Sequence, residues 1–338
     1  MNKNMHRIYY YLMLLVSVCF GCQQNSSSTD KYQNSRDNVT DVKGKVIQFE
    51  TDSILIGSYA RLYIQNEYLI IRDAKSVTNQ IYLFDKKNFR YVASTAPLGQ
   101  GPNEIANIGY IASDERRRKF YVNDHGKQKI FSYDLDSVVT NPDYCPQIKM
   151  SMNIVNFPTE YEYIDDTLCI GRTIAPVSAS DYVPSVSRWN MLTGEMKPIS
   201  YDHPDVKQKR FTYASSSEYG LALQLYIYDD LMTIVDFDGN LKYNVYGPQW
   251  DDSGRNHYYE EAVFCKGGKI LASFSGGDYD REYEPTKLLV FDINGDYIKT
   301  LDVGFRIFNM CYDEELNRLY LNFDDEIQFG YLDLEGLI

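Results

Sequence analysis

The sequence predicts an all-β fold, a six-bladed β-propeller of four-stranded antiparallel blades whose ring is closed by a strand from the N-terminal side. The first observation is a short unit that returns six times: an apolar or aromatic run, an acidic or amide residue, then a tight turn. It ends on Asp85, Asp134, Asn190, Asp236, Asp292 and Asp333, which are 49, 56, 46, 56 and 41 residues apart. That is the length of a four-stranded blade with variable loops. The second is aromatic content: 31 Tyr and 16 Phe make 14% of the chain aromatic with the tryptophans, which suits pleated, half-buried strands. The third is a pair of hairpin strings, Asp236-Phe-Asp-Gly-Asn240 and Asp292-Ile-Asn-Gly-Asp296, with Gly at the left-handed position.

Residues 1–21 read as a secretory signal. Lys3, His6 and Arg7 give a basic start, and the apolar stretch from Ile8 to Phe20 is too short to span a bilayer comfortably. Gly21-Cys22 follows, then a polar run without periodicity, so that residues 22–41 read as a flexible tether. The propeller is expected over 42–338. Its last blade, from about 305, supplies only three strands before the chain stops. The segment Lys45-Val-Ile-Gln-Phe49 is the natural donor of the fourth, which removes an exposed sheet edge. The second blade shows the internal order, with strands at 107–113, 120–123 and up to Asp134, and the fifth repeats it at 262–265, 270–274 and 288–292. Neither Asp-rich hairpin string carries the bidentate Glu of a calcium loop, and both flank strands instead of helices.

A formal charge of −13 disfavours nucleic acid as a partner, since phosphate binding draws on clustered Lys and Arg. Cys145, Cys169, Cys265 and Cys311 form no C-x-x-C pair, and the last three lie in apolar strand patterns as buried free thiols. Gly99-Gln-Gly-Pro-Asn-Glu104 reads as the crossover between the first two blades, not as a phosphate loop, because no helix opens after it.

In a propeller, the inner-strand starts and the loops between second and third strands gather at one face around the channel. Reading those positions gives Arg61, Glu104, Glu160, Arg210, Glu260 and Arg306, with the loop set Arg72, Asp73, Asp124, His125, Arg172, Asp229, Asp278 and Asp324. Arg forks pair with planar anions and carboxylates accept sugar hydroxyls, so this ring is the candidate ligand site; the alternative is a solvated channel of mutually satisfied ion pairs. No catalytic residue is assigned: the histidines lack metal spacing and there is no serine-nucleophile elbow, leaving His125 beside Asp124 as the best general-base candidate. The loop 276–285, which alternates acids and Tyr, and Trp250 are secondary sugar-binding candidates; Trp189 is expected in the core.

The start of the chain up to Cys22 resembles a bacterial lipoprotein signal, in which that Cys is acylated and becomes the first mature residue; the alternative is an ordinary signal peptide with release into the periplasm. With the 99–104 loop and the Asp236 turn, the chain from about 42 to 336 resembles the six-bladed propeller lipoproteins of the Bacteroidota envelope, often described as TolB-like or NHL-like. That resemblance implies an envelope protein on the outer membrane, held by a lipid anchor. It would act as a binding or interaction module for a small molecule, glycan or envelope protein. No cofactor is expected. The alternatives are a metal-dependent lactonase-, lyase- or hydrolase-like enzyme, which would draw a divalent cation to channel groups such as Glu104, Asp124 and Asn153 or Asn309, and a non-catalytic assembly scaffold.

Overall fold

The computed structural model describes residues 29–178, 181–199, 201–251, 255–281 and 283–338; the expected signal segment and Cys22 lie outside them. Six sheets follow one another along the chain. Blade 1 contains Arg61–Gln65, Tyr68–Arg72, Asn79–Asp85 and Tyr91–Pro97, and blade 2 contains Ile108–Asp114, Lys119–Asp124, Lys129–Asp134 and Gln147–Ser151. Blade 3 contains Phe157–Asp165, Leu168–Pro176, Tyr182–Trp189 and Met196–Pro198; blade 4 contains Phe211–Ser216, Leu221–Tyr226, Leu231–Asp236 and Leu241–Tyr246. Blade 5 contains Asn256–Cys265, Lys269–Asp278, Lys287–Asp292 and Tyr297–Asp302. Blade 6 contains Ile307–Asp313, Arg318–Phe323 and Phe329–Asp333, and its fourth strand is Ile47–Gln48, antiparallel to Phe329–Asp333. The ring closes as the sequence predicts.

The repeated acidic residue ends the third strand because its carboxylate organises the turn that follows. Asp236 Oδ1 accepts from the amides of Asp238 (3.0 Å) and Asn240 (2.9 Å), and Asp292 Oδ1 does the same for Asn294 (2.8 Å) and Asp296 (2.9 Å). Asn190 serves the amides of Leu192 and Thr193 in the same way. Asp134 instead caps a short helix, Leu135–Thr140, by accepting from Ser137 N. Gly239 and Gly295 take φ of 87° and 80°, the left-handed conformation that a Cβ would strain.

Six hydrophobic clusters hold the ring, one in each seam between neighbouring blades. Ile70 and Phe120 meet between blades 1 and 2, Tyr121 and Cys169 between 2 and 3, Ile170 and Leu231 between 3 and 4. Leu223 and Ile270 meet between 4 and 5, Leu271 and Leu319 between 5 and 6, Leu69 and Phe329 between 6 and 1. Each fully buried Leu, Ile or Phe contributes about 1.5–3 kcal/mol. No blade is left without two partners.

The tether expected over 22–41 is corrected within the described residues. Asp30–Tyr32 adds in parallel to the outer strand of blade 4, and Val39–Asp41 adds in parallel to the outer strand of blade 5. Residues 30–48 therefore form a strap over the edges of three consecutive blades. Composition hides this because the edge is held by backbone bonds, which polar residues make as well as apolar ones. Arg36 fixes the strap between the two paired segments: its Nη2 lies 2.9 Å from Asp230 Oδ1 and donates to the Tyr259 hydroxyl at 3.0 Å. Tyr32 stacks on Tyr246, and Trp250 packs against both. Trp250 is thus part of the strap's seat, while Trp189 is buried against Tyr161 as expected of a core residue.

Among the described residues no helix is long and apolar enough to cross a membrane. Cys169 and Cys265 are buried, Cys311 is half-buried and Cys145 is exposed; all four are free thiols.

Candidate functional site

The inner strand of each blade alternates between two surroundings, as the period of a strand requires. Leu62, Ile111, Tyr161, Ala214, Ala262 and Met310 pack into the seams. Their neighbours Arg61, Tyr63, Tyr110, Glu160, Tyr213, Glu261 and Asn309 line a cavity of about 390 Å³ on the ring axis. All six blades contribute to it. The cavity lining reaches the face where the inner strands end, and Glu115, Glu218, Lys266 and Glu314 stand there in the turns after those strands.

Charge at the deep end is compensated. Arg61 Nη1 meets Glu261 Oε1 at 2.7 Å, Asn309 Nδ2 donates to Glu261 Oε2 at 3.2 Å, and Asn309 Oδ1 accepts from Leu62 N at 2.7 Å. Across the channel, Arg172 Nη2 lies 3.1 Å from Glu160 Oε1. Burial pushes the Glu261 carboxyl up to about 7, reinforced by the charge of Glu160 and opposed by Arg61. The Glu261 carboxylate in turn holds the Arg61 guanidinium well above its ordinary value. Burial raises the Tyr63, Tyr110 and Tyr213 phenols. The Tyr63 hydroxyl is buried and has no hydrogen-bond partner within the protein. A buried polar group of that kind costs free energy unless something satisfies it.

Of the residues expected to form the site, only Arg61 and Glu160 line the cavity. Arg72 and Arg172 reach the next blade instead, donating to Gly109 O (2.8 Å) and Phe211 O (2.9 Å). Asn123 and Asn322 stitch neighbouring blades in the same manner, donating to Pro158 O and Ala60 O. Asp73 and Asp124 pin the loops that lead into their own blades: Asp73 accepts from Gly57 N, and Asp124 accepts from the amides of Ala106, Asn107, Gly126 and Lys127. Glu104 closes the crossover loop on Gly101 N at 2.6 Å, and Lys127 binds that loop's carbonyls.

His125 sits over Gly109 beside Phe157, and burial lowers its pKa. Arg210 pairs with Asp181 and lies 4.1 Å from the centre of the Tyr182 ring, and Arg306 pairs with Asp325. Glu260 lies 2.9 Å from His257, which is surrounded by Tyr228, Tyr279 and Tyr283. Asp229, Asp278 and Asp324 do not line the cavity. Among the described residues, no three His, Cys, Asp or Glu side chains converge as a metal site. Of the groups considered for a divalent ion, Glu104 and Asp124 accept from backbone amides and do not line the channel, whereas Asn309 does.

The channel residues missed by sequence reading are Tyr63, Tyr110, Tyr213 and Glu261; Asn309 was considered only as one alternative in a divalent-ion set. Superposing the six inner strands and choosing alternate positions would have found them.

Comparison with known proteins agrees with this geometry at the level of fold. A family described as a 6-bladed beta-propeller matches residues 25–164. The chain is a six-bladed β-propeller. Solved structures similar to it include a protein described as exported, from Bacteroides fragilis (12% identity, 88% of each chain covered, TM-score 0.53). The calcium-binding protein regucalcin from Agrobacterium tumefaciens is another (10% identity, 87% of this chain and 95% of that one, TM-score 0.54). A gluconolactonase from Xanthomonas campestris is a third (13% identity, 85% and 94% covered, TM-score 0.51). No curated protein matches the chain.

Proposed function

We propose that this propeller is a binding module of the cell envelope, carried on a lipid anchor at Cys22, which takes a small molecule in its central channel. The observation that carries this reading is the channel cavity of about 390 Å³ to which every blade contributes and which the Tyr63 side chain, its hydroxyl unpartnered, helps to line. Its size is that of a small-ligand site, and its walls combine aromatic rings with charged and polar side chains. A metal-dependent hydrolase on the same channel would need a converging donor set there, and Glu104 and Asp124 lie outside the channel lining with their carboxylates on backbone amides.

Thermal-shift screening against small-molecule panels tests the site. Ser215→Trp fills the channel from an inner strand, so ligand-induced shifts are expected in the native protein and absent in the variant; shifts of equal size in both would place binding elsewhere. The anchor is tested separately by Cys22→Ser. The native protein is expected in the membrane fraction with incorporated palmitate and the variant in the soluble fraction; a membrane-bound, unlabelled native protein would contradict acylation.

A further inference from the structure

We infer that the channel's ligand is an organic cation, a compact skeleton carrying one or more protonated amines; this rests on the reading of the channel as a binding site. The argument begins with which charges are spoken for. At the deep end Arg61 pairs with Glu261 and Arg172 with Glu160, while the half-buried Arg72 guanidinium near Tyr63 donates to a backbone carbonyl and forms no ion pair among the described residues. Toward the open end the lining adds Glu115, Glu162, Glu218 and Glu314, and none of these four carboxylates forms an ion pair among the described residues. Among the described residues, the only cation that lines this end is Lys266.

The placement of these groups is regular. Glu115, Glu218 and Glu314 each stand within a few residues of the end of an inner strand, in blades 2, 4 and 6, so alternate blades present one carboxylate each to the mouth. Glu162 lies deeper, with its carboxylate held by the Ser215 hydroxyl (2.9 Å) and by Ser217 N (3.0 Å). A fixed, uncompensated carboxylate in a partly enclosed site favours a cationic guest, because the walls exclude the water that would screen it.

Two further observations point to a ligand. The Tyr63 side chain, more than nine-tenths buried, lines the deep end of the cavity, and its hydroxyl has no partner within the protein, a polar group left for a ligand to satisfy. The cavity walls also carry Tyr110, Tyr213, Tyr219 and Tyr312, aromatic rings of the kind that hold amines by cation–π attraction. A neutral sugar would find hydroxyl acceptors here but would leave the excess negative charge uncompensated, and an anion would meet it directly.

Isothermal titration calorimetry with putrescine, its neutral counterpart butanediol and its anionic counterpart succinate tests the inference, with glucosamine against glucose as a second matched pair. The amine in at least one pair is expected to bind at least about tenfold tighter than its counterparts, and to weaken with added salt. E115Q/E218Q/E314Q, altered only at exposed positions, is expected to fold normally and lose about tenfold of that affinity. Neutral or anionic counterparts binding as well as the amines, with the binding lost in Ser215→Trp, would overturn the cation class and leave the channel site standing. Heat from none of the probes, at either salt concentration, would overturn both.

Discussion

Arg36 is the side chain through which a polar N-terminal segment becomes part of the ring. Its guanidinium is buried between Asp230 and Tyr259 and lies over the Phe274 ring, with 9% of the side chain exposed against 1% for Asp230. Breaking such a pair from one side leaves a buried charge uncompensated. Arg36→Ala is therefore expected to lower unfolding stability by about 3–5 kcal/mol in urea denaturation, whereas an effect within about 0.5 kcal/mol would show the pair to be dispensable. Glu261 makes a different prediction. Its carboxyl is pushed up to about 7 in the fold from an ordinary 4.5, so stability associated with its protonated form is full below pH 4.5 and lost as pH rises through 7. Glu261→Gln is expected to flatten the decline of melting temperature across that window; parallel profiles would contradict the assignment. Among the cysteines, burial pushes the Cys169 and Cys265 thiols up. A thiol reagent is accordingly expected to label exposed Cys145 first and the two buried thiols only on unfolding.

At the scale of elements, the strap and the inner strands show what the sequence made legible. The third strand of most blades announces itself because its terminal Asp or Asn organises the turn or helix cap that follows, so the chemistry and the repeat coincide in one residue. The strap has no such marker. Asp30–Tyr32 and Val39–Asp41 are held by parallel backbone pairing, which leaves no pattern in side chains. The site was half legible for a related reason. In the inner strand of blade 5 the pairing shifts between Tyr259 and Ala262, and the acidic pair is split there: Glu260 goes to His257 while Glu261 enters the channel. A one-residue change of register reverses the face of every side chain, so Glu260 was the natural choice from spacing alone. Deleting residues 29–41 should leave the ring closed by Ile47–Gln48 but bare the outer edges of blades 4 and 5. Lower melting temperature and concentration-dependent association in size-exclusion chromatography are the expected outcomes; a monomer of unchanged stability would show the strap to be accessory.

At the scale of the molecule, closure joins the six seams into one core and sets the inner strands around the axis. Propeller topology was readable because six similar units leave few other ways to bury both faces of every sheet. The ligand chemistry was not, because it lies in alternate positions on six separate strands that only the closed ring brings together. The central claim is that this shared cavity binds the ligand. Hydrogen-exchange mass spectrometry, with and without a compound that raises the melting temperature, tests it most directly. The account predicts protection in the inner strands of several blades at once, including peptides spanning 108–114, 211–216 and 256–265. Protection confined to the outer strands or to the loop at 276–281, with the inner strands unchanged, would contradict it.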